Sequence, residues 1–470
     1  MLFRRFYDDA LAQASYLVGC QTTGEALVVD PNRDVDQYIA AAEAESMRIT
    51  RVTETHIHAD FVSGTRELAE RTGARMLLSG AGPAEWQYGF RGDPRVTLLE
   101  GGERIALGRV IVEPVHTPGH TPEHLSFFVT DGAASSEPLG LLTGDFMFVG
   151  DVGRPDLLEK AARVAGTSEA SARDLFHSLQ RFKRLPEHLQ VWPGHGAGSA
   201  CGKGIGAVPQ STVGYEKRTN WALGIENESD FVRQVLLGQP EPPRYFGVMK
   251  RMNRDGPAIM GSFPVPERIA ETRLPELLRS GAIVVDLRSH GAFAAGHIPG
   301  TISLPLNRSF ATHAGSLLPY DRDLYLLTGG GPGGVAAAVR QLTFIGLERV
   351  AGYLGPEALE VWAADQGQLA RVPQVTPVEF AAAPGNAFVL DVRGESEWAG
   401  GHLANATHIP LPELPERLGE VPSDRPIVVH CQGGSRSSIA ASLLRAHGRE
   451  AGNLAGGFGA WTAAGLPVVR

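Results

Sequence analysis

Four short motifs in the first 200 residues carry side chains able to bind a metal ion. Thr55-His56-Ile57-His58-Ala59-Asp60, Thr117-Pro118-Gly119-His120-Thr121, Thr143-Gly144-Asp145 and Pro193-Gly194-His195-Gly196 follow in that order, each closing an apolar, strand-like run. Two histidines at alternate positions of a strand end fall on one face, where they can converge on one ion or support one another. His116, His124, His177 and His188, taken singly, read as ordinary structural histidines. A second chemistry is suggested by His430-Cys431-Gln432-Gly433-Gly434-Ser435-Arg436-Ser437, which follows the apolar run 426–429 and precedes an alanine- and leucine-rich helical stretch. A cysteine between a strand and a glycine-rich turn into a helix is surrounded by backbone N–H groups, which favour a nucleophilic thiolate, and Arg436 adds a cation at the far end of the loop. Cys201 lies six residues after His195 in a glycine-rich stretch with Lys203 nearby. It is expected to be partly exposed, inclined to the thiolate, and a candidate relay for sulfur. Cys20, between a strand and a turn, reads as packing.

The elements that must position these groups follow from the apolar periodicity. Residues 26–30, 49–55, 109–115, 125–129 and 139–143 read as strands, 61–73 as a helical segment, and 167–185 as a helix capped near Ser168. Strands alternating with helices make an α/β layered domain. The Pro-rich stretch 238–244 marks a boundary near residue 240. Beyond it the chain repeats itself: Asp286-Leu-Arg288, Gly296-His297 and Leu304-Pro305-Leu306 recur about 105 residues later as Asp391-Val-Arg393, Gly401-His402 and Ile409-Pro410-Leu411. Collinear matches of this kind indicate a duplicated domain. Three domains are therefore expected, at 1–245, 262–370 and 374–470.

The metal motifs resemble those of the metallo-β-lactamase fold superfamily over roughly residues 1–225. The resemblance implies an αββα sandwich with its metal in a cleft at the strand ends. Dinuclear hydrolases of that fold, glyoxalase II among them, carry HxHxDH, and here Phe61 stands in the last position, where no ligand atom is available. A single site of His56, His120 and Asp145 is then a two-histidine, one-carboxylate set, the arrangement of non-haem Fe(II) oxygenases. It is the ligand set of the persulfide dioxygenases, which the segments 150–157 and 211–220 also resemble. That family implies one Fe(II) per chain, with His58, Asp60 and His195 orienting the ligands and water, and Arg154, supported by Asp156, gripping an anionic substrate. The expected reaction is O2-dependent oxidation of a low-molecular-weight thiol persulfide to sulfite.

The Cys431 loop resembles the rhodanese CxxGxR loop over about residues 376–467. The resemblance implies two small α/β domains with parallel sheets, of which the second transfers sulfane sulfur on Cys431, with Gly433, Gly434, Ser435 and Arg436 shaping the loop; transfer to sulfite from the metal site would give thiosulfate, and the reverse direction, loading a thiol with sulfur to feed the iron site, is equally allowed. In the first copy Thr328 stands where Cys431 does and Gly333 where Arg436 does, so that copy is expected to be inactive, with Asp286, Arg288 and His297 serving the fold. A zinc-dependent glyoxalase II-type thioester hydrolase and a non-enzymatic sulfur carrier are the alternative readings.

Composition limits the remainder. The 470 residues carry a net charge of −9, which disfavours nucleic acid and anionic membrane surfaces as partners. No run approaches the ~20 apolar residues of a membrane span, and the start reads as no signal peptide. Three dispersed cysteines point to a reducing cytoplasm rather than a disulfide framework. The resemblance to the persulfide dioxygenases implies a homo-oligomer.

Overall fold

β-branched and aromatic runs broken by turn glycines give the first part of the chain two six-stranded sheets. The first comprises β1 (Leu2–Asp8), β2 (Gln13–Cys20), β3 (Glu25–Val29), β4 (Arg48–Thr53), β5 (Arg75–Ser79) and β6 (Val96–Leu99), in sequential order. β1 to β3 are antiparallel and β3 to β6 parallel. The second comprises β7 (Ile105–Leu107), β8 (Val110–His116), β9 (Leu125–Asp131), β10 (Gly140–Gly144), β11 (Gln190–Pro193) and β12 (Ser211–Thr212), again with neighbours in sequence side by side. Alternation along β3 sends Leu27 and Val29 into the layer between the sheets, where they join Tyr16, Leu77, Val112, Phe127, Leu142 and Trp192. Ala26 and Val28 face the other way, with Tyr38 and Leu68 of the helices Asp36–Ala44 and Thr65–Thr72. The outer face of the second sheet, through Leu141 and Val191, packs on Leu175 and Leu179 of helix Ser168–Phe182 and on Phe231 and Val235 of helix Glu228–Leu236. This helix–sheet–sheet–helix layering is the expected αββα sandwich.

This computed structural model describes residues 1–162 and 166–470 and divides the chain into two units, 1–263 with 343–346 and 264–342 with 347–470. The first unit therefore runs past residue 245. Helix Phe246–Asp255 belongs to it because the side chain of Asn253 is buried and hydrogen-bonds to the loop 58–63. The expected cap at Ser168 takes another form: the Ser168 amide, first in its helix, donates to the Glu159 carboxylate at 3.1 Å.

The second unit holds two parallel sheets. One has the order β14 (Ile302–Ser303), β13 (Ile283–Asp286), β15 (Leu324–Leu327), β16 (Val350–Leu354). In the other the order is β17 (Gln374–Val375), β21 (Ala451–Leu454), β20 (Ile427–His430), β18 (Phe388–Asp391), β19 (Thr407–His408). The repeated Asp-x-Arg does the same work in both. Arg288 is clamped on Asp286 at 2.6 Å and donates to the Gly296 carbonyl at 2.9 Å, while Arg393 is clamped on Asp391 at 2.6 Å and donates to the Gly401 carbonyl at 2.8 Å. Each pair ties a strand end to the loop after the next helix. No helix among the described residues is long and apolar enough to cross a membrane.

Candidate metal centre and thiol site

The loops after β4, β8, β10 and β11 bring the four motifs together, all of them buried. His56 Nε2 lies 4.0 Å and His120 Nε2 3.4 Å from Asp145 Oδ2, and the ligand atoms of this trio lie within 4.8 Å of one another. Hydrogen bonds on the far ring nitrogens fix how the imidazoles face. His120 Nδ1 donates to the Arg154 carbonyl and His195 Nδ1 to the Ala12 carbonyl, each at 3.0 Å, because a carbonyl can only accept. The Thr55 hydroxyl gives its one proton to Asp30 at 3.0 Å, so at 2.9 Å it accepts from His56 Nδ1. In their neutral form the His56 and His120 rings therefore present an Nε2 lone pair, the form in which imidazole binds a metal.

Charge follows the same pattern. Burial, reinforced by His58 and His120, pushes His56 well below the usual imidazole range, and burial lowers His120 as well. Burial opposes ionisation of Asp145, yet the His195 and His120 imidazoles around it hold its carboxyl below the ordinary value. Neither oxygen of that buried carboxylate has a hydrogen-bond partner beyond the weak thiol of Cys201. Neutral imidazoles facing an unsatisfied carboxylate fit a divalent cation. Gly194 permits the close approach: a Cβ there would stand 2.8 Å from Asp145 Oδ1.

His58 is different. Despite burial it is raised to about 9 by Asp30, which it meets at 3.0 Å, with help from Asp60 and Glu54. Its Nε2 is taken by Asp30, and the Phe61 ring lies against it with the ring centroids 4.4 Å apart. His195 Nε2 sits 3.2 Å from Asp60 and 3.5 Å from Asp145. Asp60, His195 and Cys201 form a second trio with ligand atoms within 4.8 Å, but burial raises both the Asp60 carboxyl and, together with Asp145 and Asp60, the Cys201 thiol.

Two expectations are corrected here. Cys201 is buried rather than partly exposed, and its thiol is pushed well up, away from the thiolate. Lys203 lies elsewhere, on the carbonyls of Gln234 and Leu237 and over the Trp221 ring. Arg154 is fully buried and held by Asp156 in two hydrogen bonds of 2.7 and 2.8 Å, with a third to the Ala200 carbonyl. Burial and the Asp156 clamp turn its guanidinium inward rather than toward a free anion, and its backbone carbonyl accepts from His120. Three positioning residues were missed in the sequence. Asp30 holds His58, His124 accepts from the Asp145 amide at 3.1 Å while stacked on His56, and Asn253 donates at 2.7 Å to both the His58 and Phe61 carbonyls. Of these only His124, four residues beyond His120, stood near a motif.

In the second unit Cys431 directly follows β20, buried, and its Sγ accepts from the Gly434 amide at 3.1 Å and from Ser437 Oγ at 3.4 Å. Gly434, at φ +100°, takes the left-handed turn that aims its amide at the sulfur. Arg436 forms two hydrogen bonds of 2.6 and 2.8 Å with Glu397. Thr328, at the matching place of the first copy, instead hydrogen-bonds within its own loop, accepting from the Gly330 amide at 3.1 Å.

Residues 8–195 match the family model of the metallo-beta-lactamase superfamily. A hydroxyacylglutathione hydrolase from Rhodospirillum rubrum is 31% identical over 283 residues, 55% of this chain and 91% of that protein. The chain belongs to the metallo-β-lactamase superfamily. Within it, the mitochondrial persulfide dioxygenase ETHE1 of Bos taurus is 26% identical over 249 residues, 52% of this chain and 84% of its own length. The crystal structure of a metallo-beta-lactamase from Staphylococcus aureus subsp. aureus COL is 41% identical with a TM-score of 0.67, covering 76% of this chain and 98% of that one. Residues 376–464 match the rhodanese-like domain family, so this superfamily member carries a rhodanese-like domain at its C-terminal side. A metal-binding hydrolase fold and a rhodanese-like domain in one chain mark an enzyme.

Proposed function

We propose that the chain oxidises a low-molecular-weight thiol persulfide at the His56/His120/Asp145 site and handles sulfane sulfur at Cys431. Phe61 on His58 carries this reading. It leaves a two-histidine, one-carboxylate set in place of a dinuclear hydrolase site, in the same chain as a sulfur-bearing thiol loop. Iron(II) held by His56, His120 and Asp145 would supply the activation of O2.

The chain's own groups do the rest. His195, with its Nδ1 committed to the Ala12 carbonyl, places Nε2 between Asp60 and Asp145, where it can orient the entering persulfide. The neutral Cys201 thiol lines the cleft without competing as a thiolate. The overall change, RSSH + O2 + H2O to RSH + sulfite + 2 H⁺, produces the acceptor that the second site needs. There Cys431–S–S⁻ + SO3²⁻ would give Cys431–S⁻ + S2O3²⁻, with the leaving thiolate stabilised by the Gly434 amide. Product analysis with excess glutathione persulfide tests the coupling. Wild type is expected to yield thiosulfate and Cys431→Ser sulfite; identical products would remove the coupling.

A zinc thioester hydrolase is the second reading, favoured by the 31% identity to the hydroxyacylglutathione hydrolase. It requires two metals per chain and turnover of a glutathione thioester without O2.

A further inference from the structure

The copy that lacks the cysteine is built onto the loop that has it. Helix Ser435–Ala446, which starts directly after the Cys431 loop, packs on β14 and on helix His290–Ala295 of the first copy. The contact is specific: the buried Ser442 Oγ accepts from the Ser303 amide at 2.9 Å, and His290 Nε2 shares a 2.9 Å hydrogen bond with Ser435 Oγ at the mouth of the loop. His290 is held there by its own helix start, where Ser289 Oγ accepts from the Ala292 amide at 3.2 Å. Its other ring nitrogen, Nδ1, is buried and has no partner. His313 of helix Phe310–Leu317 lies close enough to interact electrostatically with both Arg436 and His290. Two imidazoles of the first copy thus stand at the Cys431 loop of the second.

Their chemical value follows from what the loop's own cation is doing. Arg436 is held by two hydrogen bonds to Glu397 and also interacts with Cys431, so part of its charge is balanced inside the protein. Sulfite and thiosulfate are oxyanions whose several oxygens take further donors at the mouth of the loop, where neutral N–H and O–H groups add to that cation.

We propose that His290 is a positioning residue for oxyanion recognition at Cys431: by fixing Ser435 Oγ at the loop mouth, the cysteine-free copy sets the affinity of the sulfurtransferase site for thiosulfate and sulfite. This rests on the sulfurtransferase reading above. The step it serves is attack of the Cys431 thiolate on the outer sulfur of thiosulfate, forming the Cys431 S–S bond and breaking the S–S bond to sulfite, which leaves with the electron pair; the reverse step regenerates thiosulfate. The proposal gives the first copy a role in substrate binding without any chemistry of its own.

The test uses the full chain with two readouts. In thiosulfate-to-cyanide sulfur transfer, His290→Ala is expected to raise the KM for thiosulfate about fivefold to tenfold, the worth of one hydrogen bond, with kcat little changed. His290→Gln, which keeps a donor, should recover most of the loss, and the double variant with Ser435→Ala should lose no more than either single one. Separately, the rate of Cys431 alkylation by anionic iodoacetate relative to neutral iodoacetamide, followed by mass spectrometry at that residue, should fall several-fold in His290→Ala. Absence of thiosulfate turnover in wild type overturns the parent reading. Wild-type turnover with an unchanged KM and an unchanged alkylation ratio in His290→Ala, or additive losses in the double variant, overturns this one.

Discussion

At the scale of single residues, the metal centre depends on proton placement as much as on ligand identity. Burial favours the neutral form of His56 and His120, which Thr55 and Arg154 turn Nε2-inward, whereas Asp30 favours the protonated form of His58, two residues from His56. Asp145→Asn removes the one ionised ligand of the trio while preserving its shape. It is expected to lower bound metal to below about a tenth of the wild-type stoichiometry, by analogy with the loss on removing a charged buried partner. Metal analysis after dialysis checks it, and full retention would place the ion elsewhere. The ligand-capable residues were legible in the sequence because each sits at the end of an apolar run beside a turn. The reach of Asp30 and the burial of Arg154 were not: Asp30 acts across 28 residues, and Arg154, already read with Asp156 as its partner, is seen to be fully enclosed only in the fold.

At the scale of elements, loops at one edge of two sheets are aligned by buried polar ties. Asn253 is the clearest, since its side chain donates to the His58 and Phe61 carbonyls and accepts from the Ser63 amide at 2.9 Å. Asn253→Ala leaves those buried groups unsatisfied and should destabilise the first unit by ~3 kcal/mol, with weaker metal retention. A denaturant titration of the metal-free protein measures the first effect, and a change below about 0.5 kcal/mol, within the range of an ordinary surface substitution, would contradict it. The strands were readable from period-two alternation, as at Ala26 to Val29. The end of the first unit was not, because a Pro-rich stretch signals a break in secondary structure, whereas the tie from Asn253 back to residues 58–63 is a contact across about 190 residues.

At the scale of the whole molecule, the chain joins a metal centre in one unit to a thiol loop in the other, and the second unit has a built-in acid sensitivity. Burial pushes His297, His313 and His430 down to about 4 from an ordinary 6.5. Between those values the unfolded chain binds protons that the folded unit does not, so stability is complete above about pH 6.5 and falls as pH drops toward 4. Hydrogen exchange in β15 and β20, corrected for intrinsic rates, should accelerate from pH 7 to pH 5; unchanged protection would contradict the burial of these rings as neutral groups. The duplication was legible because Asp-x-Arg and Gly-His recur in order, but the use of the cysteine-free copy was not, since nothing in the run around His290 marks a partner 145 residues away. The central claim, that the metal centre oxidises persulfide sulfur, is tested most directly with an oxygen electrode. Iron-loaded protein given glutathione persulfide is expected to consume one O2 for each sulfite or thiosulfate formed, and the zinc-loaded protein none. Absence of O2 uptake by the iron form, with hydrolysis of a glutathione thioester by the zinc form, would contradict it.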